Sequence, residues 1–230
     1  MQLVLWDIDH TLIATRGVGR EIFGECFEQV TGRVMQAQAS VDGMTEPVIF
    51  RETAKLHGIA SNRAMFESFA RCSAERHLLR AGELRKRGHA LPGAATALAA
   101  VAALGGVVQT VVTGNIRPAA EVKLGAFGLD AHIRFEYGAY GEDDDERAEL
   151  VRIAIRRASQ ALNAPVAPEN VLLIGDTPAD VAAALDSGVR VLAVGTGRSS
   201  SADLRAAGAT MAVTSLVDPR HLLSLLGQEG

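Results

Sequence analysis

The stretch Leu3-Val4-Leu5-Trp6-Asp7-Ile8-Asp9-His10-Thr11 decides how this chain is read. Four consecutive apolar residues run straight into an acid. A continuous apolar run of that length suits a strand buried on both faces of a parallel sheet. Similar runs recur at Val107 to Val112, Asn170 to Ile174 and Arg190 to Val194. The first three runs end in polar or glycine-containing clusters: Asp7-Ile8-Asp9, Thr113-Gly114-Asn115 and Gly175-Asp176-Thr177. Helical patterns fill the intervals at Pro118 to Phe127, Glu146 to Leu162, Ala179 to Asp186 and Ala202 to Ala207. This alternation predicts an α/β fold with a doubly wound parallel sheet. In such sheets ligands bind beyond the carboxyl ends of the strands, where all three clusters fall.

From about Arg16 to His89 the alternation stops. Val18, Ile22, Phe23, Cys26, Phe27 and Val30 recur at helical spacing, and so do Val48, Ile49, Ala54 and Leu56 behind Pro47, a helix opener. A third helical pattern runs from Asn62 to Arg87, with a break expected at Gly82. A crossover needs only a dozen or so residues plus its helix, so this stretch predicts a separate all-helical module, residues 16–89, inserted into a core of residues 1–15 and 90–230. The acidic run Glu142 to Glu146 reads as a helix-opening turn, since acidic side chains favour helix N-termini.

Composition narrows the function. Apolar residues make up 48% of the 230 and aromatics only 4%, so the core is built mainly from Ala, Val, Leu and Ile. A net charge of −4 with a pI near 5.9 argues against a general nucleic-acid binder, although Arg80 to Arg87 could form a local basic patch. The longest apolar stretch, Ala94 to Val108, is shorter than the roughly 18 residues of a spanning helix, and Leu3 to Trp6 is too short for a signal-peptide core. The expectation is a cytoplasmic protein with no membrane partner. Cys26 and Cys72 have no CxxC or metal-ligand spacing and read as two buried thiols.

The clusters carry the chemistry. Asp7 and Asp9 stand two apart, on one side of the chain if the strand geometry continues. Two carboxylates 4 Å apart repel by about 4 kcal/mol at an effective dielectric of 20. A structural sheet gains nothing from that, whereas a site can use one acid as nucleophile and the other as general acid/base. Asp176 adds a third strand-end carboxylate and Asp180 a fourth, or the cluster is an N-cap in which an Asp or Thr opens the following helix. Three carboxylates converging on a phosphate need a cation, and an all-oxygen set points to Mg²⁺. Thr113, Gly114 and Asn115 can hold phosphate oxygens with a hydroxyl and backbone N–H groups, or simply make a turn. Lys123 is either a solvated helix residue or an ammonium placed to neutralise both nucleophile and phosphate.

In order, DxDxT, strand-TGN, a helical Lys and GDTxxD resemble the four motifs of the haloacid dehalogenase superfamily. The chain is similar to the phosphoglycolate phosphatase-like and β-phosphoglucomutase-like group, which carries a helical cap after the first motif. The resemblance implies a Mg²⁺-dependent hydrolase acting on a small-molecule phosphate ester. It implies Asp7 as phosphorylated nucleophile and Asp9 as acid/base. Thr113, Gly114 and Asn115 would hold the phosphoryl oxygens, and Lys123 would balance charge. Asp7, Asp176 and the backbone carbonyl of Asp9 would bind the metal, supported by Asp180. The acid at Asp9 sets the chain apart from the dehalogenase and phosphonatase branches. A sugar phosphomutase and a non-enzymatic phospho-ligand binder on the same fold are the alternatives. His10 stands where relatives often have Gly, and either lines the mouth of the site or packs under the cap. Ala14 stands where many relatives carry an acid. The run Gly43-Met44-Thr45-Glu46-Pro47 resembles a cap loop, and Arg16 and Arg51 could meet an anionic substrate or lie on the surface.

Overall fold

The computed structural model describes residues 1–227. In chain order the elements are β1 (Gln2–Trp6), β2 (Ile13–Ala14), α1 (Val18–Thr31), α2 (Glu46–Leu56), α3 (Arg63–Leu79), α4 (Ala81–Arg87) and β3 (His89–Ala90). There follow α5 (Ala94–Ala102), β4 (Val107–Val111), α6 (Arg117–Ala126), α7 (Arg147–Ala161), β5 (Val171–Gly175), α8 (Pro178–Ser187), β6 (Arg190–Val194), α9 (Ser201–Ala206), β7 (Met211–Val213) and α10 (Arg220–Leu225).

Five strands form one parallel sheet in the order β4-β1-β5-β6-β7. Strand β1 lies inside the sheet, between β4 and β5, and its side chains alternate between two apolar layers. Val4 and Trp6 join one with Ala97, Leu98, Leu124 and Leu222, while Leu3 and Leu5 join the other with Leu150, Val151 and Val181. Burial on both faces is why β1 and β5 read as unbroken apolar runs. Strand β7 and helix α10 were not marked by the sequence patterns. Met211–Val213 is a three-residue edge strand, too short to show a period.

Between β2 and β3 the chain forms α1 to α4, with no strand of the main sheet. These helices share their own apolar cluster, including Phe23, Phe27, Phe50 and Phe69, so much of the small aromatic content is concentrated here. The antiparallel pair β2–β3 ties the two ends of the segment together. The third helical pattern breaks at Arg80, which both ends α3 and opens α4, and Gly82 lies inside α4.

One expectation is corrected. Cys26 on α1 and Cys72 on α3 form a disulfide, with Cα atoms 5.6 Å apart, rather than remaining two thiols. The packing of α1 on α3 brings them together across 46 residues, which no local spacing could reveal. The basic run Arg80 to Arg87 is partly neutralised, with Arg85 and Lys86 left exposed. Arg80 pairs with Glu21, Glu25 and Glu83, and Arg87 with Glu21 and Glu83. Among the described residues, no helix is long and apolar enough to cross a membrane.

Candidate active site

Asp7 follows the last residue of β1, and its backbone N–H donates to Ile174 O on β5 at 2.9 Å. The chain then turns sharply: Leu12 and Ile13 N–H groups both donate to Ile8 O, and His10 adopts φ 62. That left-handed conformation is one that favours glycine. His10 itself is exposed and lines the mouth of the cavity. Its carbonyl accepts from Thr196 Oγ1 at 2.5 Å.

Two acid–cation pairs face one another at the strand ends. In the first, Asp7 is only 7% exposed, and Arg147 Nη2 lies 2.8 Å from its Oδ1. The same nitrogen lies 2.6 Å from Asp180 Oδ1, to which Arg147 Nε donates at 2.7 Å. The Nη2 N–H directions are poorly aligned with either carboxylate, so its contribution there is that of a nearby charge. In the second pair, Lys123 Nζ donates to Asp9 Oδ2 at 2.7 Å and to Asn115 Oδ1 at 2.6 Å. Asn115 Nδ2 donates in turn to Asp9 Oδ2 and to Thr113 Oγ1, both at 2.8 Å. Burial pushes the Asp9 carboxyl up, but the Lys123 ammonium and the hydrogen bonds from Lys123 and Asn115 outweigh it and hold Asp9 below the usual carboxylate range.

Lys123 therefore pairs with Asp9, and a different cation is in direct contact with Asp7. Arg147 has that position, and the sequence reading missed it. One signal was available. Arg147 opens α7, where the positive end of the helix dipole disfavours a cation, so some other partner must hold it there.

Asp176 and Asp180 flank the turn after β5. Asp176 is 3% exposed and accepts from Thr11 Oγ1 at 3.0 Å. Thr177 and Asp180 cap α8 reciprocally, since Asp180 Oδ2 accepts from Thr177 N and Oγ1 and Thr177 Oγ1 accepts from Asp180 N. Asp180 thus both caps a helix and orients Arg147.

Oxygens of Asp7, Asp176 and Asp180 all lie within 4.8 Å of one another. Burial first, then mutual repulsion, pushes the carboxyls of Asp7 and Asp176 well up, against the opposing pull of Arg147. Three buried acids with one adjacent guanidinium leave an excess of negative charge that a hard cation would relieve. A Cβ at Gly197 would overlap the Asp176 carboxylate, so the chain leaves room beside that acid. An all-oxygen donor set with residual negative charge fits Mg²⁺. The Asp9 carboxylate points instead to Lys123 and Asn115.

A cavity of about 610 Å³ covers these groups, walled on the far side by α1, α2 and α3. Arg16 lines it, and Arg51 does not; Arg51 pairs with Asp145 at 2.8 Å on another face. The loop before α2 docks on the strand ends: Glu46 N donates to Gly114 O at 2.8 Å, and Ile116 N donates to Glu46 Oε2 at 3.2 Å. The acidic run forms the turn before α7, with Asp143 held by Arg157 and Glu142 accepting from Arg117 N.

A five-stranded parallel sheet with acids at the ends of two adjacent inner strands defines a doubly wound α/β core with a helical insertion. The profile of the haloacid dehalogenase-like hydrolases matches residues 4–185, and the chain belongs to that family. Three solved structures share the fold over nearly their whole length. A hydrolase from Pseudomonas syringae has a TM-score of 0.68 at 18% identity, covering 97% of this chain and 98% of that one. A predicted phosphatase from Clostridium acetobutylicum has a TM-score of 0.69 at 18% identity, with the same coverage, 97% and 98%. CbbY from Rhodobacter sphaeroides, in complex with phosphate, has a TM-score of 0.67 at 20% identity, covering 99% and 100%. No curated protein matches the sequence.

Proposed function

We propose that this hydrolase is a Mg²⁺-dependent phosphatase that cleaves a small-molecule phosphate monoester through an aspartyl phosphate on Asp7. The observation that carries this reading is the pair of acids with separate cations, Asp7 beside Arg147 and Asp9 beside Lys123. Identical acids in one environment would share one role. Here two environments divide nucleophile from acid/base.

In this reading residues 16–89 form a cap over a core of residues 1–15 and 90–230. Asp7, Asp176 and the Asp9 carbonyl would hold Mg²⁺, with Asp180 in support. When bound, the ion would neutralise the phosphate and lower the repulsion among the acids. An Asp7 carboxylate oxygen attacks phosphorus, and the bond from phosphorus to the leaving oxygen breaks. Thr113, Gly114 and Asn115 hold the phosphoryl oxygens. The leaving oxygen takes a proton from Asp9. In the ligand-free protein Asp9 is held ionised, so that proton arrives with the substrate, as on a phosphate monoanion. Asp9, again a carboxylate, then removes a proton from water. The water oxygen bonds to phosphorus, and the bond to Asp7 breaks. Arg147 keeps the released Asp7 carboxylate ionised for the next turnover.

The test is intact-protein mass spectrometry after rapid acid quench during turnover of p-nitrophenyl phosphate with Mg²⁺. A phosphate adduct on the peptide containing Asp7, absent from Asp7→Asn, is expected. Activity should vanish with EDTA and return with Mg²⁺. Near wild-type turnover by Asp7→Asn would refute the mechanism. Conversion of glucose 1-phosphate to glucose 6-phosphate without free phosphate would assign the chain to the mutases instead.

A further inference from the structure

His77 lies on α3 and is 2% exposed, yet it is among the residues that line the cavity. Its Nδ1 lies 2.8 Å from the backbone carbonyl of Ser73. A carbonyl only accepts, so Nδ1 carries the proton and donates. In the neutral ring Nε2 then has a lone pair and no proton. Nε2 is buried and has no hydrogen-bond partner among the described residues. Most buried polar side-chain atoms in folded proteins are paired, and one left bare costs about 1–3 kcal/mol.

The surroundings fix the character of the missing partner. Helix α3 packs on α6, which carries Lys123, and the charges of Lys123 and Asp9 both reach His77. Burial first, then Lys123, pushes the imidazole down to about 4, so it is neutral at pH 7. Glu46, another residue of the helical segment, lines the same cavity. His77 therefore offers an acceptor on the Asp9 side of the cavity, where the proposed reaction places the leaving group.

We infer that His77 is a specificity-determining residue, whose Nε2 accepts a hydrogen bond from a hydroxyl on the leaving group of a polyhydroxylated phosphate ester. The inference rests on the phosphatase reading above. It selects among phosphate esters through the alcohol rather than the phosphate. Water has little access to Nε2 in this arrangement, so the hydroxyl enters with the substrate before the helices settle over it. A substrate lacking that hydroxyl leaves Nε2 bare and loses the discrimination.

The experiment compares wild type, His77→Phe and His77→Gln on p-nitrophenyl phosphate, which has no hydroxyl on its leaving group, and on glycerol 1-phosphate, erythrose 4-phosphate, ribose 5-phosphate and glucose 6-phosphate. For the best hydroxylated ester, the ratio of its kcat/KM to that of p-nitrophenyl phosphate should fall roughly 10- to 100-fold in His77→Phe. His77→Gln, which keeps an acceptor oxygen near the Nε2 position, should recover part of the ratio. His77→Phe should melt no lower than wild type without substrate, because it removes a bare polar atom. Nitrogen NMR of histidine-labelled protein at pH 7 should show Nδ1 protonated and Nε2 bare. An unchanged ratio, a lower melting temperature with equal losses on all esters, or a protonated Nε2 would overturn the inference. So would turnover of p-nitrophenyl phosphate with none on any hydroxylated ester. Phosphate release from no ester at all would instead overturn the phosphatase reading beneath it.

Discussion

Replacing Arg147 by Met removes the one guanidinium that stands between two buried carboxylates. Its Nη2 lies 2.8 Å from Asp7 and 2.6 Å from Asp180. At an effective dielectric of 20, each contact corresponds to about 6 kcal/mol of attraction. Desolvation of Arg147 itself, which is 8% exposed, offsets much of that in the wild type. The variant keeps the desolvated acids and loses the cation, so the residual penalty is that of an uncompensated buried charge, roughly 3–5 kcal/mol. Protonation of an acid limits the loss, so the penalty should be smaller at pH 5 than at pH 8. Urea denaturation in EDTA, at pH 5 and pH 8, measures both quantities. Mg²⁺ should restore part of the lost stability, because it supplies positive charge to the same acids. A loss below about 1 kcal/mol in EDTA at pH 8, or a Mg²⁺ effect no larger than in wild type, would refute the assignment of Arg147 as the counter-charge.

Other outcomes follow from the same geometry. Burial pushes Glu46 up to about 7, so the folded state holds its proton longer than the unfolded chain does. Ionising Glu46 therefore costs stability as pH rises from its ordinary value of 4.5 through about 7. Glu46→Gln should gain on wild type across that window by roughly 1–2 kcal/mol in urea titrations, and parallel pH profiles would contradict the burial argument. Gly197→Ala should weaken Mg²⁺ binding about tenfold or more by calorimetry with little change in melting temperature, since the added methyl meets the Asp176 carboxylate. Equal affinity in that variant would separate Asp176 from the metal. Lys123→Met should shift the acid limb of the pH–rate profile to higher pH, because burial of Asp9 then acts without the ammonium that opposes it. An unshifted limb would remove Asp9 from the titration that controls rate.

The apolar runs before Asp7, Thr113 and Asp176 marked three of the sheet strands and the end of the sheet that carries the site. They were legible because burial on both faces leaves a continuous local pattern. The helical segment was legible for a related reason: apolar spacing near 3.6 residues needs no knowledge of the partner helix. Asp7, Asp9 and Asp176 could be singled out because carboxylates at strand ends have few structural uses.

The pairings were a different matter. A helical Lys and a helical Arg look alike in sequence, and whether each reaches a carboxylate depends on contacts spanning 114 residues for Lys123–Asp9 and, for Arg147–Asp7, on a similarly distant crossing between α7 and β1. Cys26 and Cys72 meet only because α1 packs on α3, and the bare nitrogen of His77 exists only because α3 is set against the core. Sequence therefore determined most of the sheet and the acids at the ends of its strands, since those follow from local burial and local charge. The tertiary structure alone decided which cation serves which acid, because electrostatic pairing depends on distance in space and leaves no period along the chain.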